Sequence, residues 1–227
     1  MYEFDVTESE ERAAEKASAE FADMIKEMVE DRKKNPTEDL VSELAQVEEA
    51  GEKLTLRELI ATCVLLLNAG HEASVNAFGN GFVAVMNDVK SKDLLSGNPR
   101  AITSTAIEEF FRFDAPLQLF ERTAMETTEC NGIVIERGSK VAALLGSANR
   151  DEKVFERANH INLERNPNNH ISFGGGIHFC LGAPLARLEL SISLPALYER
   201  FPKIEMLEEP RRRESFVLRG FEKILCK

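Results

Sequence analysis

Apolar side chains recur at spacings of three and four along the first third of the chain, the period of an α-helix. Ala13, Ala17, Phe21, Met24, Ile25 and Met28 mark such a stripe over Ser9–Arg32. Lys33-Lys34-Asn35-Pro36 ends it, because a residue before proline avoids the α region. Asp39–Glu49 reads as a second, shorter helix that stops near Gly51. Both are charged away from the stripe, as solvated outer helices are. A third helix starts at Thr55. Thr55-Leu56-Arg57-Glu58 fits a capping box, in which hydroxyl and carboxylate each serve a free backbone N–H. Leu54 and Leu59 stand where a hydrophobic staple would close. The helical pattern runs to Met86, roughly 32 residues or about 48 Å. From Leu59 to Leu67 it is apolar nearly all round, which predicts burial. Its middle nevertheless carries Asn68, His71, Glu72, Ser74 and Asn76, with Gly70 among them. Buried polar groups need partners. A mid-helix glycine costs about 1 kcal/mol relative to alanine. The combination points to a cavity or ligand against the helix centre.

Ala101–Phe113 reads as another helix, ending before Ala115-Pro116. Ile133-Val134-Ile135 and Lys140–Leu145 then predict a hairpin that turns at Arg137-Gly138. Asn149–Asn169 has no period, and an irregular stretch of that length is unusual unless functional. Pro184–Phe201 is helical, with Leu185, Leu188, Leu190, Ile192, Leu194 and Leu197 as apolar positions and Pro195 as a bend. Short strands and turns complete the chain. The fold class is therefore mainly α with small antiparallel β-sheets. Its segments are outer acidic helices (1–53), a long helix (54–88), a helix over 101–113, β elements and an irregular loop (116–170), a cysteine loop with its following helix (171–201), and C-terminal strands (202–227).

Charge narrows the function classes. The formal net charge of the 227 residues is −11, which excludes nonspecific binding to nucleic-acid phosphates. The first 50 residues hold 16 acidic and 6 basic side chains, so the acidity belongs to the outer helices. The longest apolar stretch, Leu59–Ala69, is too short for a membrane span of about 20 residues. Met1–Glu11 is acidic and lacks the apolar core of a secretory signal. Cys63, Cys130, Cys180 and Cys226 are widely separated and form no C-x-x-C pair, so a zinc knuckle is unsupported and a reducing cytoplasm fits best.

The chemistry concentrates in Phe173-Gly174-Gly175-Gly176-Ile177-His178-Phe179-Cys180-Leu181-Gly182, which runs into Ala183-Pro184-Leu185-Ala186-Arg187. Glycines let a backbone turn tightly and approach another group closely. A cysteine there is presented on a loop with a helix N-terminus behind it, and those dipoles favour thiolate over thiol. An anionic metal ligand needs that setting. A dinucleotide loop would require glycine where Phe179 stands, and a phosphate loop would require Gly-Lys-Ser/Thr, which is absent. A buried structural cysteine does not call for a glycine cage. A thiol-dependent enzyme pairing Cys180 with His178 is a third alternative.

The segment resembles the haem-binding loop of the cytochrome P-450 family, the haem-thiolate monooxygenases, F-G-x-G-x-H-x-C-x-G, at every specified position. The resemblance covers nearly the whole chain and is nearest to the soluble bacterial branch. It begins partway through the family fold, so the N-terminal part is expected to be absent. It implies haem b held by Cys180 as axial thiolate and metal ligand, a ligand that favours O–O cleavage. It implies propionate contacts from His178 and Arg122, where a cation meets a carboxylate. Phe173 matches the aromatic residue beside the thiolate, and Gly174 and Gly182 match the loop glycines. Glu109-Phe110-Phe111-Arg112 is similar to the family's E-x-x-R, whose third partner falls at His160 in this alignment; their role is structural bracing.

Ala69-Gly70-His71-Glu72-Ala73-Ser74 resembles the distal A-G-x-[D/E]-T-[T/S]. Gly70 then leaves room for dioxygen, and Glu72 is the acid of the acid–alcohol pair that delivers protons. The usual Thr is Ala73. Ser74 follows, but about 100° around the helix. The resemblance thus implies either poor coupling with peroxide released or a water-mediated relay. The implied function is insertion of one oxygen atom from O2 into a small hydrophobic organic substrate. Electrons would come ultimately from NAD(P)H through a ferredoxin or flavodoxin type donor. A truncated, non-catalytic or weakly active haem-binding fragment is the alternative.

Overall fold

The computed structural model describes residues 7–49 and 54–227. The expected end of the second helix near Gly51 lies outside them. The chain divides into two compact units, one ending at Glu72 and the other formed by Ala73–Lys227.

The first unit begins with α1 (Glu8–Lys34). Thr7 caps it, its N–H donating to Glu10 Oε2 at 2.8 Å while its hydroxyl accepts from Glu10 N at 3.4 Å. Glu8, Glu10 and Glu11 lie in the first turn, and Arg32, Lys33 and Lys34 in the last, so both ends oppose the helix dipole favourably. Helix α2 (Leu40–Glu49) packs against α1. Helix α3 (Leu56–Met86) starts at the predicted capping box: Thr55 N donates to Glu58 Oε2 at 2.8 Å, and Glu58 N to Thr55 Oγ1 at 3.3 Å. The core of this unit is Ile25, Val29, Ala45, Leu59 and Cys63, with Leu54 packed on its margin beside Leu59. The expected all-round burial of Leu59–Leu67 does not hold. Leu59 and Cys63 are buried, but Leu65 and Leu67 are exposed, because α1 and α2 cover only one face here.

The second unit holds the C-terminal part of α3, a helix not foreseen from sequence, α4 (Val89–Gly97), and α5 (Ser104–Phe113). Asp88 caps α4 by accepting from Ser91 N at 2.8 Å. Phe82, Val85, Leu95, Ile107, Phe110 and Leu190 belong to one continuous buried cluster. Burying a side chain of that size contributes roughly 1.5–3 kcal/mol. Helix α5 packs on the last long helix, Ala183–Arg200.

Two two-stranded sheets follow. β1 (Leu119–Thr123) pairs antiparallel with β4 (Lys140–Leu144), and β2 (Thr128–Cys130) with β3 (Ile133–Ile135). The predicted hairpin between Ile133–Ile135 and Lys140–Leu145 is therefore corrected: both strands exist, but each has another partner. The reason is the Asn131-Gly132 turn, with φ of 49° and 79°, which matches the twist of a tight hairpin. It closes β2 on β3, and the outer pair then nests around them. Helices α6 (Leu145–Ala148) and α7 (Ala183–Arg200) complete the regular elements, and α7 runs through Pro195. The expected C-terminal strands are reduced to the isolated bridges Leu117↔Leu218, Met206↔Cys226 and Arg212↔Phe221. Charges at Arg211–Arg213 and the Pro210 break leave no run long enough for a ladder.

One polar network fastens this tail to the helices. Asp114 accepts from Arg212 Nη2 at 2.6 Å and Arg219 Nε at 2.8 Å. Asn80, fully buried on α3, donates to Asp114 O at 3.1 Å and Arg219 O at 2.9 Å. No helix of the described residues is long and apolar enough to cross a membrane.

Candidate functional site

The cysteine loop is pinned at its entrance. Asn149, fully buried after α6, accepts Ile171 N at 2.8 Å and donates to Ser172 Oγ at 2.8 Å. Ser172 Oγ in turn donates to Phe111 O at 2.7 Å. Gly174 and Gly176 adopt φ of 73° and 66°, the left-handed region where a side chain is strained. Their turns bring the chain back on itself, so that Cys180 N donates to Phe173 O at 3.0 Å. Ala183 N donates to Cys180 O at 3.3 Å and opens α7. The thiol is free and half-buried. A Cβ added at Gly182 would lie 3.9 Å from its sulfur, so a larger side chain there would crowd the thiol.

Aromatic rings back the loop. Phe173 lies 4.6 Å from Phe111 and 6.2 Å from Phe179 between ring centroids. The guanidinium of Arg187, one turn into α7, stands 4.5 Å over the Phe173 ring. Arg187 is held by Glu108 of α5 through Nε at 2.6 Å and Nη2 at 2.9 Å. His170 Nε2 lies 2.9 Å from the same carboxylate. Burial opposes the Glu108 charge, but the bonds from His170 and Arg187 outweigh it and hold the carboxyl down at about 2.

Next to it on α5, Glu109 and Arg112 are almost completely buried and form a two-bonded pair at 2.7 and 2.8 Å. Arg112 Nη1 also donates to Asn149 O at 2.8 Å and Ala158 O at 2.9 Å. The side chain that completes this pair is Arg165, whose Nε reaches Glu109 Oε2 at 3.0 Å. The sequence assignment of His160 is corrected. His160 takes part only through its carbonyl, which accepts from Arg112 Nη2 at 3.3 Å. The loop between them turns repeatedly, and Asn162 N donates to Glu109 Oε1 at 2.8 Å on the way. The irregular stretch is thus tied to α5 by charge and also held by its own turns, such as Arg165 N to Asn162 O at 3.0 Å.

The other candidate residues lie on other elements. His178 is exposed on a short 3₁₀ turn (Gly176–His178). Arg122 is exposed on β1, donating to Glu121 O at 2.9 Å and standing 5.3 Å over the Phe120 ring. Gly70 and Glu72 close the first unit; Ala73 and Ser74, both half-buried, open the second. A Cβ at Gly70 would meet nothing within 4 Å. Among the described residues no three His, Cys, Asp or Glu converge into a metal cage. A single cysteine on a glycine loop suits a metal whose remaining ligands come from a macrocycle, and the exposed apolar Ile177, Phe179 and Leu181 beside it suit a large apolar ligand. The residues present therefore fit a haem.

Sequence reasoning missed Asn149, Arg165, His170 and the Glu108–Arg187 pair. Asn149 heads the stretch flagged as irregular and functional, and Arg187 closes the glycine–cysteine segment; those were the available signals.

Fold and site together define a class: a mainly helical protein that offers one cysteine from a glycine loop at a helix start. Comparison with known proteins gives the family. The family model described as cytochrome P450 matches residues 98–222. The polyketide biosynthesis cytochrome P450 PksS of Bacillus subtilis is 42% identical over 224 residues, 97% of this chain and 55% of that protein. Its solved structure aligns with TM-score 0.92 at 41% identity, covering 98% of this chain and 58% of that one. P450BioI, solved in complex with hexadec-9Z-enoic acid ligated acyl carrier protein, aligns with TM-score 0.92 at 35% identity, covering 98% and 57%. The chain belongs to the cytochrome P450 family. It spans about half the length of the relatives it matches, and corresponds to their C-terminal portion.

Proposed function

We propose that this chain is the cysteine-bearing part of a haem-dependent monooxygenase, a single partial domain over residues 1–227. The observation that carries the reading is the Cys180 loop itself: two left-handed glycines, a backbone bond from Cys180 N to Phe173 O, and a half-buried free thiol at the start of α7. Cys180 would hold the iron of haem b, with Phe173, Gly174 and Gly182 shaping the space about the sulfur. His178 and Arg122 would meet the propionates, and their exposure leaves both side chains available. Bound haem supplies activation of O2 for insertion of one oxygen atom into a small hydrophobic substrate.

The chain's own residues would bind, brace and move protons. Glu109, Arg112 and Arg165 hold the irregular loop against α5, and Asn149 passes that order to the cysteine loop. Gly70 leaves space on α3, Glu72 would be the acid of the proton path, and Ala73 brings no hydroxyl to continue it. Ser74 lies about 100° further around the helix, so transfer to it from the site at position 73 needs water. The electron donor we assign is a ferredoxin or flavodoxin type protein fed from NAD(P)H, in a reducing cytoplasm.

Haem loading, reduction and carbon monoxide test this. A strongly red-shifted Soret band, lost in Cys180→Ser, is the expected result. No haem uptake by the unaltered chain would overturn the reading. A second reading, a haem-binding fragment with little or no turnover, is favoured by Ala73 at the position where the family's distal pattern has Thr. It predicts the same spectrum without NADH-dependent product. If turnover occurs, Ala73→Thr should raise the product formed per NADH and lower peroxide; an unchanged ratio would remove Ala73 from the proton path.

A further inference from the structure

Asparagine stands before glycine at two places in the chain, Asn80-Gly81 and Asn131-Gly132. Such a pair can react with itself. The glycine nitrogen can attack the asparagine side-chain amide, because no Cβ shields it or restricts the rotation that brings it close. The two pairs have opposite settings. Asn80 is fully buried in α3. Its Nδ2 donates to Asp114 O at 3.1 Å and Arg219 O at 2.9 Å, and its Oδ1 accepts from Arg212 Nη1 at 3.0 Å. Gly81 lies inside the same helix, where a backbone nitrogen is committed to the hydrogen-bond ladder. Asn131 and Gly132 are instead exposed at the tip of the β2–β3 hairpin. Among the described residues neither the Asn131 amide nor the Gly132 N–H has a hydrogen-bond partner. Each flanking strand has three residues, and every residue from Thr128 to Val134 is exposed. A two-stranded pair that short is marginal in water and opens locally.

We propose that Asn131 is a site of self-modification, converted through a cyclic imide to aspartate and isoaspartate, while burial protects Asn80. Gly132 N bonds to Asn131 Cγ and the Cγ–Nδ2 bond breaks. The proton from Gly132 N leaves with the amide nitrogen as ammonia. Water then opens the imide. Opening at Cγ gives aspartate. Opening at the main-chain carbonyl carbon of Asn131 gives isoaspartate, with the backbone routed through Cβ and Cγ. The sum is asparagine and water to acid and ammonia, with no oxidant and no second protein. Either product adds a carboxylate close to the exposed Glu129. Isoaspartate also lengthens the main chain within a turn that needs φ of 49° and 79°, so the Cys130↔Ile133 pairing should be lost. The bonds from Ala124 N to Ser139 O at 2.9 Å and from Gly138 N to Ala124 O at 2.8 Å lie at the other end of the hairpin and hold β1 and β4 apart from the change. The site needs no haem and stands independently of the monooxygenase reading.

Ageing the full chain in mildly alkaline buffer tests this. Peptide mass spectrometry reads the acid formed at each asparagine, and a protein isoaspartyl methyltransferase labels the isoaspartate. Asn131 should convert many-fold faster than Asn80. In urea the Asn80 rate should rise to that of Asn131, because unfolding removes its burial and its three bonds. Asn131→Gln, which would need a larger ring, should abolish the label at the hairpin and leave Asn80 slow. Conversion of Asn131 no faster than that of Asn80 in the folded chain would overturn the proposal. So would an Asn131 rate many-fold lower in the folded chain than in urea, since the left-handed turn would then hold the nitrogen away from Cγ. An Asn80 that stays slow in urea would show that its sequence neighbours protect it, and the structural contrast would fall.

Discussion

Single glycines on α3 separate local propensity from packing. Gly70 and Gly81 are both mid-helix, where alanine is favoured by about 1 kcal/mol. At Gly70 an added Cβ meets nothing within 4 Å. Gly70→Ala should therefore stabilise this chain by roughly 0.5–1 kcal/mol in urea denaturation. At Gly81 the same Cβ would lie 3.1 Å from Cγ of the buried Phe110 ring, closer than ordinary contact. Gly81→Ala should show little gain or a loss, because the ring must move inside a packed core. A stabilisation at position 81 equal to that at 70 would contradict this account. Gly70 thus carries the helix cost of glycine without the close contact that constrains Gly81.

Between elements, buried charge does the joining. Glu109 accepts from Arg112, Arg165, Asn162 N and Asn168, the last at 3.1 Å. Removing Arg165 would leave that carboxylate short of a partner in a buried setting. Arg165→Leu should cost about 3–5 kcal/mol. His160→Ala should stay within about 0.5 kcal/mol, since only the carbonyl of His160 is used. Comparable losses in the two variants would restore the sequence assignment. The neighbouring Glu108 predicts a pH effect. Its carboxyl is held at about 2, below its ordinary value, so its contribution is fully present above about pH 4.5 and disappears as pH falls toward 2. The stability gap between the parent and Glu108→Gln should close over that window; a gap that is constant with pH would refute it. Much of this was legible and some was not, for physical reasons. The capping box at Thr55 and the glycine–cysteine run declare themselves because each is a contiguous pattern with local chemistry. The Asn131-Gly132 turn was equally local, and a run-based reading of Ile133–Ile135 passed over it. Arg165 and His170 carry no local signal at all. Their partners lie 56 and 62 positions away, and the loop's path, not its spacing, decides which side chain arrives.

At the level of the molecule, apolar surface is distributed as in a body that has something more to cover. Helix α7 exposes Leu185 (58%), Leu188 (54%) and Ile192 (61%), at the three- and four-residue spacing of one stripe. Its other face is fully used, with Leu190, Leu194 and Tyr198 buried in the main core. A surface helix with a second apolar stripe is not explained by its own unit. The relatives have nearly as much chain again beyond the matched part. An uncovered stripe of this kind drives association, because each side chain taken from water contributes roughly 1.5–3 kcal/mol. The isolated chain should therefore self-associate with rising concentration in sedimentation velocity and bind an apolar dye. Leu188→Gln, at the centre of the stripe, should weaken both while leaving the buried core and the Cys180 loop as they are. If the parent sediments as a monomer at all concentrations and binds no dye, the stripe is covered by the chain itself. If Leu188→Gln changes neither measurement, association runs through other exposed apolar residues, with Ile177 and Leu181 beside the cysteine the next to substitute.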